Sequence, residues 1–277
     1  MKARQISMQF VRYLVLIFVS LVILVPFLWM VTTSFKSFSK VLVFPPQWIP
    51  QPFVWQNYVE LFQKTPFHLY FYNSLYIAVA VTAGTCLFGA MAGYAFAKIN
   101  FPWKSTIFIL LLSSMMIPTE VTSIPTFMLL SKIGLVNTHF PLIFPSMLGA
   151  GGMLGVFLCR QFYITIPKEL DEAAKIDGCS LPRVFLTIML PLSGPALSTL
   201  SIITLLHSWN EFFEPLVYLS SSRLFTIPLA LSLFATDSGT EWHLIMAASV
   251  VSTAPLLLAF FIAQKRFIEG IATTGLK

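Results

Sequence analysis

The sequence predicts an all-α polytopic membrane protein with about six transmembrane helices. The first observation is composition: 57% of the 277 residues are hydrophobic and only 10% are charged, against about 25% charged residues in a soluble domain. The second is a series of apolar runs that approach the roughly 20 residues a helix needs to cross a bilayer. The third is an uneven distribution of Lys and Arg between alternate connections.

Six apolar runs are predicted to span the bilayer and to form one transmembrane domain over residues 1–277. The spans cover approximately residues 13–32, 71–96, 105–130, 140–160, 192–219 and 244–264. Prolines and a glycine-rich stretch interrupt the third, fourth and fifth runs, which a bundle tolerates when neighbouring helices satisfy the freed backbone groups. The first run lacks a small-residue cleavage site, so we expect it to remain as the first span.

The positive charges predict the orientation. Twelve of the 17 Lys and Arg residues lie at the N-terminus, in the 96–105 turn, in the segment 160–191 and at the C-terminus, and five lie in the alternate connections. The positive-inside rule places the richer set in the cytosol, so both termini are expected to be cytoplasmic. The three cysteines show no disulfide pattern and are expected to be free thiols.

The longest connection on the predicted outer side is residues 33–70. Within it, "FVWQNYVELF" places Val54, Tyr58, Leu61 and Phe62 at helical spacing, with Trp55 alongside. This pattern is typical of a helix that lies in the membrane interface, where Trp and Tyr are enriched. A plain surface loop is the alternative, and the pattern does not separate the two.

A charged segment, "ELDEAAKIDGCSLPRVFLTIMLPL", interrupts the apolar pattern between the fourth and fifth runs. Thr165 is predicted to cap a helix that begins near Pro167. Asp171 and Lys175 are four residues apart and are predicted to pair on that helix. Gly178 suits the left-handed position that ends a helix, and a second helix is expected to follow it. Residues 161–191 are therefore predicted to be two short helices joined by a turn at the cytosolic face.

The small residues Ala173 and Ala174 offer a surface that another backbone could approach closely. Such a surface is typical of a docking element, but a solvated amphipathic helix would carry the same residues. These residues alone do not distinguish a docking element from a solvated helix.

The order of residues in this segment resembles the EAA loop of the membrane subunits of binding-protein-dependent ABC importers. Every position of that signature is filled, by Glu172, Ala173, Ala174, Asp177, Gly178, Ile188, Leu190 and Pro191. "MIPTEVTSIPTF", "SWNEFFEPL" and the tail "QKRFIEGIATTGLK" resemble the carbohydrate-uptake branch, of the maltose and multiple-sugar type, and its shorter, six-span permease. The resemblance implies a type I ABC importer transmembrane domain. It also implies that residues 161–191 are a cytosolic coupling loop, in which Glu172, Ala173, Ala174, Asp177, Gly178 and Pro191 couple the chain to an ATPase.

The resemblance further implies the partners and the location. They are a second permease subunit forming a heterodimer, two ABC ATPase subunits and an extracytoplasmic sugar-binding protein, in a bacterial cell membrane and without nucleic acid. The sequence contains no G-x-x-x-x-G-K-[ST] phosphate-binding motif. We therefore expect a non-catalytic subunit that binds no cofactor itself, with ATP and magnesium held by the partner subunits.

Two sets of polar residues are candidates for contacts with solute or with the binding protein. Polar groups within a span are costly and usually face a cavity. A substrate pathway is expected to involve Trp209, Asn210, Glu211 and Glu120, although polar links between helices are the alternative. In the outer 220–243 loop, a tip formed by Thr236, Asp237, Ser238 and Gly239 is expected to contact the binding protein, although a solvated turn is the alternative.

Other functions remain to be weighed against sugar import. The same machinery could import a sugar phosphate or glycerol phosphate. A polytopic membrane enzyme would need converging acid, base or metal ligands; the four scattered histidines do not suggest a metal site. A secondary transporter would work without ATPase partners, which the EAA loop argues against.

Overall fold

The computed structural model describes the backbone of residues 2–236 and 239–274 and the side chains of residues 8–235 and 239–261. Regular structure in this part of the chain is almost entirely helical. The helices are α1 (Lys2–Ser34), α2 (Gln56–Lys64), α3 (Phe67–Lys98), α4 (Lys104–Ser114), α5 (Thr119–Lys132), α6 (Phe140–Leu148), α7 (Ala150–Thr165), α8 (Lys168–Ile176), α9 (Leu181–Val184), α10 (Leu190–Leu192), α11 (Gly194–Asn210), α12 (Phe213–Tyr218), α13 (Ile227–Leu231) and α14 (Trp242–Thr274). A π-helix, Phe185–Met189, joins α9 to α10, and an antiparallel hairpin pairs β1 (Ala235–Thr236) with β2 (Gly239–Thr240).

Among the described residues, four helices are long and apolar enough to cross a membrane. They are Met8–Ser34, Phe67–Lys98, Phe140–Thr165 and Trp242–Phe261, and they match the first, second, fourth and sixth predicted runs. The third of them consists of α6 and α7, which are separated only at Gly149. The third run, 105–130, corresponds to a pair of shorter helices with a sharp bend. A second bent pair, Leu181–Leu192 and Gly194–Asn210, coincides only in part with the fifth run, 192–219, because its first helix lies almost entirely within residues 161–191. The prediction of about six spans therefore agrees with the structure if each bent pair is one span.

The two bends lie beside the prolines that interrupt the apolar pattern. Lys104–Ser114 and Thr119–Lys132 meet at 96° across the short break that contains Pro118. Leu181–Leu192 and Gly194–Asn210 meet at 74° at Ser193, two residues before Pro195. Proline fixes its own φ and disfavours helix at the preceding residue, which explains why the breaks lie here.

The fifth predicted span, 192–219, contains a second break beyond the one expected at Pro195. Helix α11 ends at Asn210, and α12 begins at Phe213. Glu211 lies in this break, where its Oε1 accepts a hydrogen bond from the backbone N–H of Glu214 at 3.1 Å. A side chain that satisfies a free N–H at a helix start favours a new helix over continuation of the old one.

Contacts divide the chain into two units. The first comprises the chain up to Phe67 together with Leu231–Pro255. In this unit α2 confirms the helical alternative for the outer loop, but its buried face consists of Asn57 and Leu61. The Asn57 amide donates to the carbonyls of Ser34 and Lys36, each at 2.8 Å, so α2 is fastened to the end of α1.

The second unit comprises His68–Ala230 and the chain from Leu256 on. Its close packing depends on small residues where α3 passes α7. A Cβ added to Gly93 would lie 2.6 Å from the Cβ of Cys159, and one added to Gly89 would lie 2.9 Å from the carbonyl carbon of Gly155. Small residues are the usual means by which membrane helices approach closely, because lipid supplies no hydrophobic force between helices.

Candidate functional site

Helix α8 forms the first arm of the charged segment. It begins after Pro167 and carries Glu169 and Asp171 in its first turn and Lys175 in its last, which is the charge order that the helix dipole favours. The predicted cap at Thr165 was wrong. Helix α7 continues to Thr165, whose hydroxyl donates to the Phe162 carbonyl at 2.7 Å and is therefore used within α7.

The turn after α8 confirms the predicted role of Gly178, whose φ is +76°. The N–H of Gly178 donates to the carbonyl of Lys175 at 3.0 Å, and the N–H of Cys179 donates to that of Ala174 at 2.9 Å. These two bonds form a Schellman motif, in which a left-handed residue ends the helix and satisfies its last carbonyls. The space around Gly178 is open, so the backbone conformation alone demands glycine there.

Helix α8 has two distinct faces. Asp171 and Ala174 are buried against the rest of the unit, whereas Glu172, Ala173 and Asp177 are exposed. The most exposed apolar side chain on the helix belongs to Ile176, at 86%. The single small surface predicted from Ala173 and Ala174 is therefore divided: Ala173 faces outward and Ala174 packs inward.

The inward face is held by an ion pair that differs from the predicted one. The carboxylate of Asp171 lies 3.0 Å from the Nζ of Lys98, at the end of α3, and not against Lys175. Lys98 also donates to the carbonyl of Ile166 at 2.7 Å. Lys98 could not be predicted as the partner, because spacing within the sequence indicates only partners on the same helix.

The second arm packs one face into the bundle and leaves the other exposed. Val184, Phe185 and Met189 are buried with Ala174 and Leu200 in one hydrophobic cluster. Two aromatic rings from α3 and α7, Tyr94 and Tyr163, complete that cluster. Pro191 is exposed in α10, immediately before the 74° bend into α11. The arm therefore links the coupling loop directly to the fifth span.

The predicted pathway residues occupy different environments. The ring of Trp209 is 4% exposed and packs edge-on against Phe71 at 5.8 Å, so it offers no free flat face to a sugar in this conformation. Asn210 is exposed, and its amide donates back to the Leu206 carbonyl at 2.7 Å. Glu211 caps α12, as described above, and Glu120 is exposed in the first turn of α5, beside the 96° bend.

The predicted binding-protein contact lies only partly within the described residues. The backbone of Thr236 pairs with that of Gly239, whose φ is +125°, in the β1–β2 hairpin. Asp237, Ser238 and the side chain of Thr236 lie outside the described residues, so their contact with a binding protein stays a prediction. Over the part of the chain that was searched, no group of three or more His, Cys, Asp or Glu could hold a metal ion.

Comparison with known proteins shows the family. Residues 85–272 match the family described as the inner membrane component of binding-protein-dependent transport systems, and this chain belongs to it. It is therefore a multi-pass membrane permease subunit of the ABC transporter class, as the EAA loop implied, and its role is transport and not catalysis.

Two curated relatives and one solved structure illustrate the match. The arabinooligosaccharides transport system permease protein AraQ of Halalkalibacterium halodurans is 34% identical, over 94% of this chain and 93% of that protein. The sn-glycerol-3-phosphate transport system permease protein UgpE of Yersinia pestis is 32% identical, over 84% and 85%. A chain of a bacterial ABC transporter that imports the polysaccharide alginate superposes with a TM-score of 0.81 at 19% identity, covering 93% of this chain and 95% of that one, which shows the shared fold.

Proposed function

We propose that this chain is the translocation subunit of an ATP-driven importer for a sugar or oligosaccharide delivered by an extracytoplasmic binding protein. It works beside a second permease subunit and two ABC ATPase subunits in a bacterial cell membrane. ATP and Mg²⁺ bind to the ATPase subunits, and this chain binds no cofactor. The observation that carries the proposal is the two-faced helix α8, which exposes Glu172, Ala173 and Ile176 while its other face is fixed to the bundle.

The outward face of α8 suits a protein partner better than water. A side chain as apolar as Ile176 gains from burial, at roughly 25 cal/mol per Å² of apolar surface removed from water. Next to it, Ala173 permits close approach and Glu172 supplies a charge for a cationic or hydrogen-bonding group. We therefore place the ATPase on this face, with motion of α8 carried into the spans as a rigid-body change.

The relatives differ in the solute for which each is named. AraQ is named for arabinooligosaccharides, and UgpE for sn-glycerol 3-phosphate, so a phosphorylated solute is the second candidate. Two of the basic residues on the predicted outer side are already engaged. Burial lowers the pKa of Lys36, which lies 3.6 Å over the ring of Trp29, and hydrogen bonds with Glu241 and Glu60 raise the pKa of Lys64. Lys36 is thus buried away from solute, whereas Lys64 stays partly exposed and Arg223 is exposed, so these residues do not decide between the two solutes.

Uptake into proteoliposomes tests the function directly. The four-subunit complex, supplied with its binding protein outside and ATP inside, is expected to accumulate a labelled oligosaccharide and to ignore sn-glycerol 3-phosphate. Omission of ATP is expected to stop uptake. Accumulation driven by an ion gradient without the ATPase would instead identify a secondary transporter.

The proposed orientation leads to a labelling prediction. A cysteine introduced at the exposed Gln51 is expected to react with an impermeant thiol reagent in intact cells. A cysteine introduced at the exposed Asn100, and the native Cys179, are expected to react only after the cells are opened. Labelling at Asn100→Cys in sealed cells, with Gln51→Cys protected, would reverse the topology.

The exposed end of α11 leads to a prediction about the pathway. Asn210→Leu is expected to lower uptake about threefold to tenfold, the range that loss of one neutral hydrogen bond to solute allows. Recovery of the ATPase with the complex is expected to stay normal. Asn100→Leu, the same change at an exposed turn, serves as the control. Equal uptake kinetics in the Asn210 variant and the control would remove Asn210 from the pathway.

A further inference from the structure

Cationic side chains gather around the C-terminal end of α3. Arg160 donates from Nε to the Phe96 carbonyl at 3.3 Å. Lys104 donates to the carbonyls of Ala97 and Ile99, at 3.4 and 2.8 Å. Lys98, the last residue of α3, is the third cation in this group. Cations stabilise the C-terminus of a helix, whose last carbonyls lack partners and carry negative partial charge.

Lys98 differs from the other two cations because it belongs to α3 itself and holds α8, whereas Arg160 and Lys104 come from other helices and bind carbonyls at the end of α3. It donates to the carbonyl of Ile166, just before α8, and it pairs with Asp171, in the first turn of α8. The two contacts lie on opposite sides of Pro167 and fix both the approach to the helix and its first turn. The side chains of Lys98 and Asp171 are only 7% and 11% exposed, so the ion pair is largely removed from water.

A gain in folding stability is a poor explanation for the presence of this buried ion pair. Removing two charges from water is costly, and well-packed apolar residues often replace a buried ion pair without loss of stability. The pair is also incompletely satisfied, because the Oδ1 of Asp171 is buried without a hydrogen-bond partner among the described residues. A directional pair nevertheless does what apolar contacts do not: it fixes one register of α8 against α3.

We propose that Lys98 is a positioning residue for transport, which through Asp171 makes α8 and the end of α3 move as one body. The proposal rests on the proposed docking of the ATPase to the outward face of α8. Force applied near Glu172 then passes through the inward face into a membrane-spanning helix. Without the pair, α8 can slide on its apolar contacts, so ATP is hydrolysed without movement of the spans.

The test compares three variants in the reconstituted complex. In the first, Lys98→Met and Asp171→Leu together replace the pair by apolar side chains of similar length. In the second, Lys98→Arg keeps a cation whose planar fork can reach both carboxylate oxygens. In the control, Lys64→Met and Glu241→Leu together make the same chemical change at a more exposed pair, between Lys64 of α2 and Glu241 just before α14, whose atoms are 2.5 Å apart.

We expect the apolar double variant to assemble with the ATPase and to keep its thermal midpoint close to that of the unaltered complex. Its uptake is expected to fall at least about tenfold, and the ATP hydrolysed per sugar transported is expected to rise by the same factor. Lys98→Arg and the control pair are expected to keep the normal ratio. A change in this ratio distinguishes positioning from a purely structural role, which would change the amount of complex and not its stoichiometry.

Two results would overturn the proposal. One is normal uptake and a normal ratio in the apolar double variant. The other is loss of the ATPase from that variant, because the pair would then act on docking itself and not on transmission. Failure of the proposed docking is separable: it would appear as normal ATPase recovery and normal uptake in a Glu172→Lys variant with the Lys98–Asp171 pair intact.

Discussion

Replacing Glu172 by lysine is expected to abolish uptake while leaving the protein in the membrane. Glu172 lies on the exposed face of α8, so the spans do not depend on it for packing. A charge-assisted contact with the ATPase is worth about 1.5–3 kcal/mol, and a reversed charge adds repulsion to that loss. We therefore expect the affinity for the ATPase to fall by at least about tenfold to a hundredfold. Co-purification of the ATPase, sugar uptake and sugar-stimulated ATP hydrolysis measure the effect.

Glu60→Lys provides the matched control for this experiment. It makes the same charge reversal on an exposed helix, α2, where Glu60 pairs with Lys64 at 2.8 Å. Exposed ion pairs of this kind contribute little, about 0–1 kcal/mol. The control is expected to transport normally. If Glu172→Lys also transports normally with full recovery of the ATPase, α8 is a solvated loop helix and the coupling function is wrong.

Enlarging Gly93 is expected to destroy the packing of α3 against α7. The new Cβ would lie 2.6 Å from the Cβ of Cys159 and 2.8 Å from the backbone nitrogen of Arg160, so the two helices must separate. Overpacking of this kind costs about 1–3 kcal/mol even where flexible side chains can adjust, and backbone adjusts less. Gly93→Ala is expected to lower the thermal midpoint of the detergent-solubilised complex, and Gly93→Leu to prevent its recovery.

Gly194→Ala is the control for this series, because a Cβ at that position would meet nothing within 4 Å. The control is expected to leave the yield and the thermal midpoint unchanged. Recovery of Gly93→Leu at the control's yield would show that α3 and α7 do not approach as closely in the membrane as the structure has them.

The spans were largely predictable because a bilayer imposes a simple length and composition on a helix. The apolar runs located the four long helices, and the prolines indicated where the third and fifth runs break. The angles of 96° and 74° were not predictable, since a proline marks a break without determining the direction of the next helix. The break between α11 and α12 includes a side-chain contact, between Glu211 and the N–H of Glu214, that composition does not reveal.

The site was predictable where its conformation is local. Gly178 is such a case, because a left-handed residue at a helix end has a sequence signature. The partner of Asp171 was not predictable, since Lys98 lies far away in the sequence and Lys175 offered a plausible local partner. Trp209 shows the same limit: its neighbours suggested a ligand-facing ring, but packing against Phe71 buries it.

The two faces of α8 also bear on how such a chain can change over evolutionary time. A substitution at Asp171 or Ala174 can be compensated within this chain, for example at Lys98. Under the proposed docking, a substitution at Glu172 or Ala173 requires a compensating change in the ATPase, which is a different gene product. The residues of the inward face can therefore vary together with the bundle, whereas the outward face must keep the residues that the ATPase contacts. A single ATPase could then serve several permeases whose interiors have diverged, provided that each presents the same few outward residues.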